Sequence, residues 1–491
     1  MPANRRFIAS RSRALSLAVL LAALAGCAVG PDYQRPQAPV GEHFREAKAQ
    51  GSWQPAQPAD LQDRGAWWRV FNDGVLDTLM SSLNEQNYSL QQAQARVRQA
   101  QAALSNTRSG LFPAVSSSAS STRQGSGSGT SSQSSSAYDL GLNVTWEVDL
   151  WGRIRRQLES GDASLQASAA DMAATRLSLQ SQLAQTYFQY RSAESAVRLL
   201  DRTVQAYERS LQINQNRLDA GFSAPGDVAA ALSQLEGART QRLALDREKS
   251  SYHHAMAVLV GRAPSQFEVV PNAPWPVAPE IPVGLPSSLL ERRPDVAAAE
   301  RRMAQANAQI GVAKAAWFPS LTLNAGGGFK SSDLSNWLTA PARVWSLGPS
   351  LALTLLDFGA RQSQVDQAQA SYDEQVAAYR QTVLEALKEV EDALSELYGL
   401  GREQISQSRA LAAARESLQL TRNQFDAGLV DYLSLAQTET SAFSAEQQAL
   451  DIESQRLRAA VKLLVALGGG WTGVSEPNMA ADAKEPARAQ P

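Results

Sequence analysis

The sequence is poor in the residues that build reactive sites. Of its 491 residues one is cysteine, Cys27, and three are histidine, His43, His253 and His254. A single thiol excludes a disulfide within the chain. Adjacent residues on a helix point in different directions, so His253 and His254 make a poor chelate and no metal site is expected. A cationic excess is missing too: 46 Lys and Arg stand against 48 Asp and Glu, which leaves nothing to neutralise phosphates and argues against nucleic acid as a partner. The glycines at 326–328 and 468–470 lack the lysine of a phosphate-binding loop. No enzyme site and no cofactor is expected from this composition.

Long apolar runs are also missing. The run from Ala14 to Ala25 follows Arg5, Arg6, Arg11 and Arg13 and is too short to span a bilayer as a helix. A basic stretch followed by an apolar one of this length is a secretory signal, expected over 1–26. It ends in Leu24-Ala25-Gly26-Cys27, which resembles the bacterial lipobox, where the thiol is acylated and the chain is cut just before it. Acyl chains on Cys27 would anchor the mature N-terminus to a membrane. Ala28 stands where inner-membrane retention would need Asp, which favours the outer membrane.

Two copies of one unit, roughly 200 residues each, account for most of the remainder. The stretch 87–113 aligns without a gap with 293–319, both closing on Phe-Pro, and DLWGR (149–153) corresponds to LDFGAR (356–361). The triplet Asp-Ala-Gly recurs at 219–221 and 426–428. Each copy reads as helix, strand, loop, strand, very long helix, turn and helix. The expected divisions are an N-terminal anchor and extended segment at 27–73, a first repeat at 74–261, a Pro-rich linker at 262–288, a second repeat at 289–467 and a tail at 468–491.

Proline is absent from about Trp151 to Leu218 and again from about Arg361 to Ala427, and helices of that length would each run roughly 100 Å. In the first, Leu179, Leu183, Tyr190, Ala193, Val197, Leu200, Val204, Tyr207, Leu211 and Leu218 follow the alternating three-four spacing of a coiled-coil seam. In the second, Val376, Val383, Val390, Leu397, Leu411, Leu418 and Phe425 hold one series and Tyr372, Tyr379, Ala386 and Ala393 the other. Gln, Ser, Ala and Arg cover much of the rest, leaving a wet face. Gly399 and Gly401 suggest a bend at mid-length or a tolerated glycine pair.

Strands are expected near 113–123, 138–150, 319–330 and 346–357. From Leu140 to Leu150 apolar and polar residues alternate over the length of a tilted membrane-spanning strand. Leu321, Leu323, Ala325 and Phe329 form the apolar side of another, and Leu351, Leu353 and Leu355 of a third. RQGSGSGTSSQSSSA and FKSSDLSNWLTAPARVW read as polar external loops. Only a closed barrel leaves no unpaired edge in lipid. Four strands are half of the smallest barrel of about eight, so copies must combine, and a trimer with twelve leaves an open lumen.

GCAVGPDYQRP (26–36), WWRVFNDGVLDTLM (67–80), LPSSLLERRPDVAAAE (285–300), ANAQIGVAKAAWFPSLTL (306–323) and LVALGGGW (464–471) together resemble the outer-membrane factors of the TolC type, in their lipoprotein branch. The resemblance implies a mainly α fold with a membrane β part. It also implies a homotrimer whose twelve-stranded β-barrel continues into a twelve-stave α-helical coiled-coil tunnel across the periplasm. It further implies an exit duct for drugs and other small molecules in the outer membrane of a Gram-negative bacterium. Its partners would be outer-membrane lipid, a periplasmic adaptor and an inner-membrane pump, of the proton-driven resistance-nodulation-division type. The channel of a type I protein secretion system is the alternative. A lone adaptor would have one helical hairpin and no lipid-facing strands, and a structural coiled coil would have no strand pairs.

In that family the two Asp-Ala-Gly turns form the periplasmic mouth. Gly221, Phe222, Gly428 and Leu429 then lie at hairpin tips that meet the adaptor. Asp227 matches a family Asp, but the Tyr and Arg that hold it in well-known members are Phe425 and Val430 here. Phe425 cannot donate a hydrogen bond and Val430 carries no charge, so that clamp is missing. Ser434 and Gln437 stand where relatives place an acidic ring, while Leu433 matches a leucine constriction. A gate of Asp227, Asp431, Tyr432, Leu433, Ser434 and Gln437, more steric than acidic, is expected. Asp227 and Asp431 either pair with Arg217 or Arg422 or merely cap helices.

Overall fold

A computed structural model describes residues 28–37, 41, 44–46, 65–128, 131–269, 275–276, 278–279 and 293–469. The signal segment, Cys27, His43, the second half of the Pro-rich linker and the tail beyond 469 lie outside the described residues. A short 3-10 turn at Trp67–Phe71 leads into α1 (Gly74–Gln86), α2 (Tyr88–Ser109), β1 (Ala114–Ser128), β2 (Ser131–Val148), α3 (Arg153–Asp219) and α4 (Pro225–Leu259). The second copy supplies α5 (Pro294–Ala315), β3 (Ser320–Ser331), β4 (Arg343–Ala352), α6 (Ala360–Asp426) and α7 (Tyr432–Ala466). The duplication extends to helix length. α2 and α5 have 22 residues each, α3 and α6 have 67, and α4 and α7 have 35.

Both long helices begin on the same device. Asp149 accepts from the Ile154 and Arg155 amides and the Arg155 Nε, and Asp357 accepts from the Gly359 and Arg361 amides and the Arg361 Nε. Each carboxylate satisfies orphan N–H groups of the first turn and sits at the positive end of the helix. α6 stays helical through Gly399 and Gly401, and a Cβ at either would meet nothing within 4 Å, so close packing does not require glycine there.

The chain divides into two compact units, each drawn from both repeats: one from 28–37, 95–169 and 298–381, the other from 38–94, 170–297 and 382–469. The first holds a four-stranded antiparallel sheet in the order β1-β2-β3-β4. The register puts Leu140, Leu142, Val144, Trp146 and Val148 of β2 opposite Phe329, Gly327, Ala325, Leu323 and Leu321 of β3. Those in turn face Arg343, Trp345, Leu347, Pro349 and Leu351 of β4. Cross-strand partners share a face, so this one is apolar across three strands except at Arg343, the first residue of β4. The other carries Asn143, Thr145, Glu147, Asn324, Thr322, Ser346 and Ser350. Trp345, Leu347 and Leu351 are exposed, and no described residue of β1 to β4 is buried. Within one chain neither face is covered, and β1 and β4 each leave an edge unpaired.

Two expectations about these strands need correction. The Ser/Gly run from Arg123, expected as loop, continues the ladder, with Arg123 opposite Ser136 and Gly127 opposite Ser132. Pairing uses backbone groups alone, so a side-chain pattern does not reveal it. β4 ends at Ala352, which leaves Leu353 and Leu355 outside the strand, because its partner β3 starts only after Pro319, a residue with no N–H to donate.

In the same unit the segment 28–37 is fastened by polar contacts. Val29 donates its N–H to Trp151 O, Arg156 donates to Val29 O, Gly30 O and Asp32, and Asn307 donates to Pro31 O. Trp151 stacks on Phe318 at 4.8 Å and donates its indole N–H to Pro319 O. Trp151 thus links the backbone at Val29 to the AAWFPS stretch.

The second unit holds the main apolar core. Trp67, Trp68 and Phe71 pack with Leu76, Met80 and Leu83 of α1 against Leu183, Tyr187 and Phe188 of α3, with Val390, Leu394, Leu457 and Val461 from α6 and α7. Asp73 caps α1 through the Val75 and Leu76 amides and accepts from the Tyr187 hydroxyl at 2.7 Å. Arg293, which opens α5, is buried and ties Asp295, Glu389 and the Ala466 carbonyl together. His253 packs on Phe267 at 5.0 Å and on Tyr190 at 6.3 Å. The coiled-coil seam of α3 is buried at Leu183, Ala193, Val197, Leu200 and Tyr207, and that of α6 at Tyr379, Val383, Ala386, Val390 and Ala393.

Candidate functional site

The two helical hairpins of the second unit, α3/α4 and α6/α7, end in turns with the same backbone plan. Gly221 has φ +79° and Gly428 φ +72°, a left-handed conformation that side chains resist. The Phe222 N–H reaches Arg217 O at 2.7 Å and the Gly221 N–H reaches Leu218 O. Likewise the Leu429 N–H reaches Gln424 O at 2.8 Å and the Gly428 N–H reaches Phe425 O. These six-to-one closures satisfy carbonyls that the helix ends would otherwise leave bare. The recurring Asp-Ala-Gly triplet is therefore the stop signal of each long helix.

The return helices start on carboxylates. Asp227, in the first turn of α4 behind Pro225, reaches back to the Ala224 N–H at 3.2 Å and accepts from the Ser223 hydroxyl at 2.7 Å. Asp431 is the N-cap of α7 and accepts from the Ser434 hydroxyl at 2.6 Å and the Ser434 N–H at 2.9 Å. The Ser434 hydroxyl, and then its amide, hold the Asp431 carboxyl below the usual carboxylate range. The ion pairs considered for these residues are not the ones formed. Arg217 lays its guanidinium over the Phe425 ring, 4.1 Å from the centroid, and donates to Phe425 O at 3.0 Å. Arg422 donates to Glu439 at 2.9 Å. Capping wins because the helix amides lie within the reach of a short Asp side chain.

Tyr432 also falls elsewhere than expected. It is 3 % exposed, packs with Ala231, Phe425 and Leu435, and donates its hydroxyl to Gln234 Oε1 at 2.9 Å. Burial pushes its own ionisation up, out of reach at physiological pH. It belongs to the packing between hairpins, not to a wet surface. Leu429, Leu433 and Gln437 are exposed at successive intervals of four, and Phe222 is 85 % exposed on the other tip. Ser434 is half-buried.

Glu439 was missed from the sequence. It is buried, pairs through Oε1 with Arg422, and its Oε2 has no hydrogen-bond partner. Burial raises its carboxyl above the usual range, and Arg422 opposes that shift without cancelling it. A signal existed: Tyr432, Leu435, Glu439 and Ala442 follow the three-four spacing of a buried seam, where a carboxylate is anomalous. The arrangement offers no activated nucleophile or acid-base pair. Its chemistry is that of two fastened helix ends with a partly apolar surface.

Comparisons with known proteins agree with this geometry. The profile described as "Outer membrane efflux protein" matches residues 79–262 and 285–469, once for each repeat. The chain is 31 % identical over 479 residues to the toluene efflux pump outer membrane protein TtgF of Pseudomonas putida, covering 95 % of this chain and 98 % of that one. It is 31 % identical over 452 residues to the cation efflux system protein CusC of Escherichia coli, covering 91 % and 97 %. Among solved structures the outer-membrane channel OprN superposes with a TM-score of 0.83 at 33 % identity, over 91 % of this chain and all of that one.

Proposed function

This chain belongs to the outer membrane efflux protein family, and from that premise we propose that three copies assemble into one duct. It is an outer-membrane component of a Gram-negative envelope and a passive efflux conduit, not an enzyme. The observation that carries the trimer is the bare sheet. Four strands with one apolar face and two unpaired edges are stable in lipid only when copies close the wall. Twelve strands enclose a lumen lined by the polar face, whereas eight would be filled by side chains. The six long hairpins of the trimer supply the twelve staves of the periplasmic tunnel.

The hairpin tips, with Phe222 and Leu429 exposed beside Gly221 and Gly428, dock a periplasmic adaptor, and an inner-membrane pump of the proton-driven type supplies the substrate. Cys27, outside the described residues, carries the lipid anchor. Leu433 and Gln437, with Ser434 beside them, narrow the mouth by size more than by charge. Single-channel recording checks this. Strong cation selectivity that Ser434→Lys abolishes and neutral changes elsewhere leave intact would contradict it.

One relative is named for toluene and another for cations, so the fold alone does not set the cargo. A mouth without an acidic ring supports drugs and other small organic molecules. The test is drug susceptibility of a deletion strain, complemented by the chain alongside each candidate pump. Restored resistance, with heat-modifiable trimers in the outer membrane, is the expected result. A monomer found in the soluble fraction contradicts the reading.

A further inference from the structure

We propose that a cation–aromatic latch between Arg217 and Phe425 fastens the two hairpins of each subunit to one another and keeps the mouth shut. The inference rests on reading the chain as an exit duct. It answers a question that this sequence raises: what closes the mouth when Phe425 and Val430 replace the groups that hold Asp227 elsewhere.

Arg217 lies two residues before the end of α3 and Phe425 one residue before the end of α6, so the contact joins the first hairpin to the second. It has two parts. The guanidinium carbon sits 4.1 Å from the ring centroid, and Nη2 donates to the Phe425 carbonyl at 3.0 Å. A planar guanidinium can stack on a ring and hydrogen-bond along its edge at once, which a lysine ammonium cannot. Phe425 is 3 % exposed, enclosed by Ala231 of α4 and by Tyr432 and Leu435 of α7. The Tyr432 ring stands edge-on at 6.1 Å, and its hydroxyl returns the link to Gln234 of α4. Gln234 in turn donates to the Ala436 carbonyl and the Thr440 hydroxyl of α7, so the return helices are linked as well.

The acids of the tips do not compete for Arg217. Asp227 and Asp431 are engaged as caps within their own turns, and Glu439 is taken by Arg422 inside the second hairpin. Among the described residues Arg217 forms no ion pair. To swing one hairpin away from the other, Arg217 must leave both ring and carbonyl, and Phe425 must enter water. The buried ring and the partly shielded cation make this contact stronger than an exposed pair of the same type.

The test is single-channel conductance of the purified full-length trimer in planar lipid bilayers, for Arg217→Met, Phe425→Leu, their combination, Arg217→Lys and Arg422→Gln. Trimer yield and heat-modifiability report folding separately. Arg217→Met and Phe425→Leu should each raise the open probability by about tenfold or more. The double variant should open little more than either single one, as two ends of one contact must. Arg217→Lys, which keeps the charge without the stacking plane, should fall between wild type and Arg217→Met. Arg422→Gln, whose partner is in its own hairpin, should stay closed.

Arg217→Met and Phe425→Leu trimers that stay as closed as wild type overturn the latch and leave the duct standing. So do effects that multiply in the double variant, which would mean two separate roles. Wild-type trimers that never conduct, even with adaptor and pump present, overturn the duct reading and the latch with it.

Discussion

An arginine placed at Leu142 tests the membrane reading of the sheet near the middle of its apolar face. Leu142 pairs with Ser117 on one side and Gly327 on the other and is 58 % exposed in the chain. The paired stretch Tyr138–Val148 is about 36 Å long at 3.3 Å per residue. Tilted by about 45°, it is about 25 Å tall, the height of the apolar band of an outer-membrane barrel. Leu142 therefore lies near the bilayer midplane, where arginine on the lipid face costs about 2–4 kcal/mol per copy. A long side chain that bends toward the headgroups brings the cost to the lower end of that range. Asn143, one residue on, pairs with Ser116 and Gly326 on the opposite face. Asn143→Arg meets water in the lumen and should cost little. The assay is the amount of heat-modifiable trimer in purified outer membranes, with Leu142→Arg much reduced and Asn143→Arg close to wild type. Equal yields from the two variants, or a greater loss for Asn143→Arg, refute the assignment of faces.

Other contacts give further expectations. Tyr187→Phe removes a donor from the buried carboxylate of Asp73 and should lower stability by about 1–3 kcal/mol, seen as an earlier thermal transition of the detergent-solubilised protein. Arg293→Lys cannot reproduce the fork that spans Asp295, Glu389 and Ala466 O, and a loss of about 1.5–3 kcal/mol should appear in the same assay. Glu439 binds its proton more tightly folded than unfolded. Its contribution is therefore fully present below the ordinary glutamate range and is lost as pH rises through that range to its raised value. Glu439→Gln should accordingly gain thermal stability relative to wild type as pH rises through the window that opens at the ordinary glutamate range. A difference that does not change with pH would show that Glu439 does not titrate in that window.

How much of this was legible in the sequence depended on which chemical groups carried the information. The amphipathic period of β2 was readable because every second residue from Leu140 to Val148 has an apolar side chain. The continuation of β1 through Gly125 and Gly127 was not, since its ladder is made by backbone groups. At the tips, Gly221 and Gly428 announced left-handed turns that few other residues tolerate. The capping roles of Asp227 and Asp431 were foreseeable as one of two options, because they involve neighbours in sequence. Arg217 on Phe425 and Tyr432 on Gln234 were not foreseeable. Each joins helices from different repeats, and their relative offset is fixed by packing that no local pattern encodes. WWRVF was visible as a motif, but its use as a wedge between α1 and α3 emerged only in three dimensions.

Closing one barrel from three chains brings the β4 edge of each copy against β1 of the next. Within a chain β1 and β4 are separated by two strands, about 14 Å at ordinary spacing, too far for a disulfide. Ser346→Cys on β4, combined in turn with Ser116→Cys, Ser118→Cys or Ser120→Cys on the polar face of β1, can therefore cross-link only between copies. Oxidised outer membranes should give, for at least one pair, a ladder of one, two and three chains that stops at three. A ladder that stops at two, one that runs past three, or none for any pair would rule out a barrel closed by three chains.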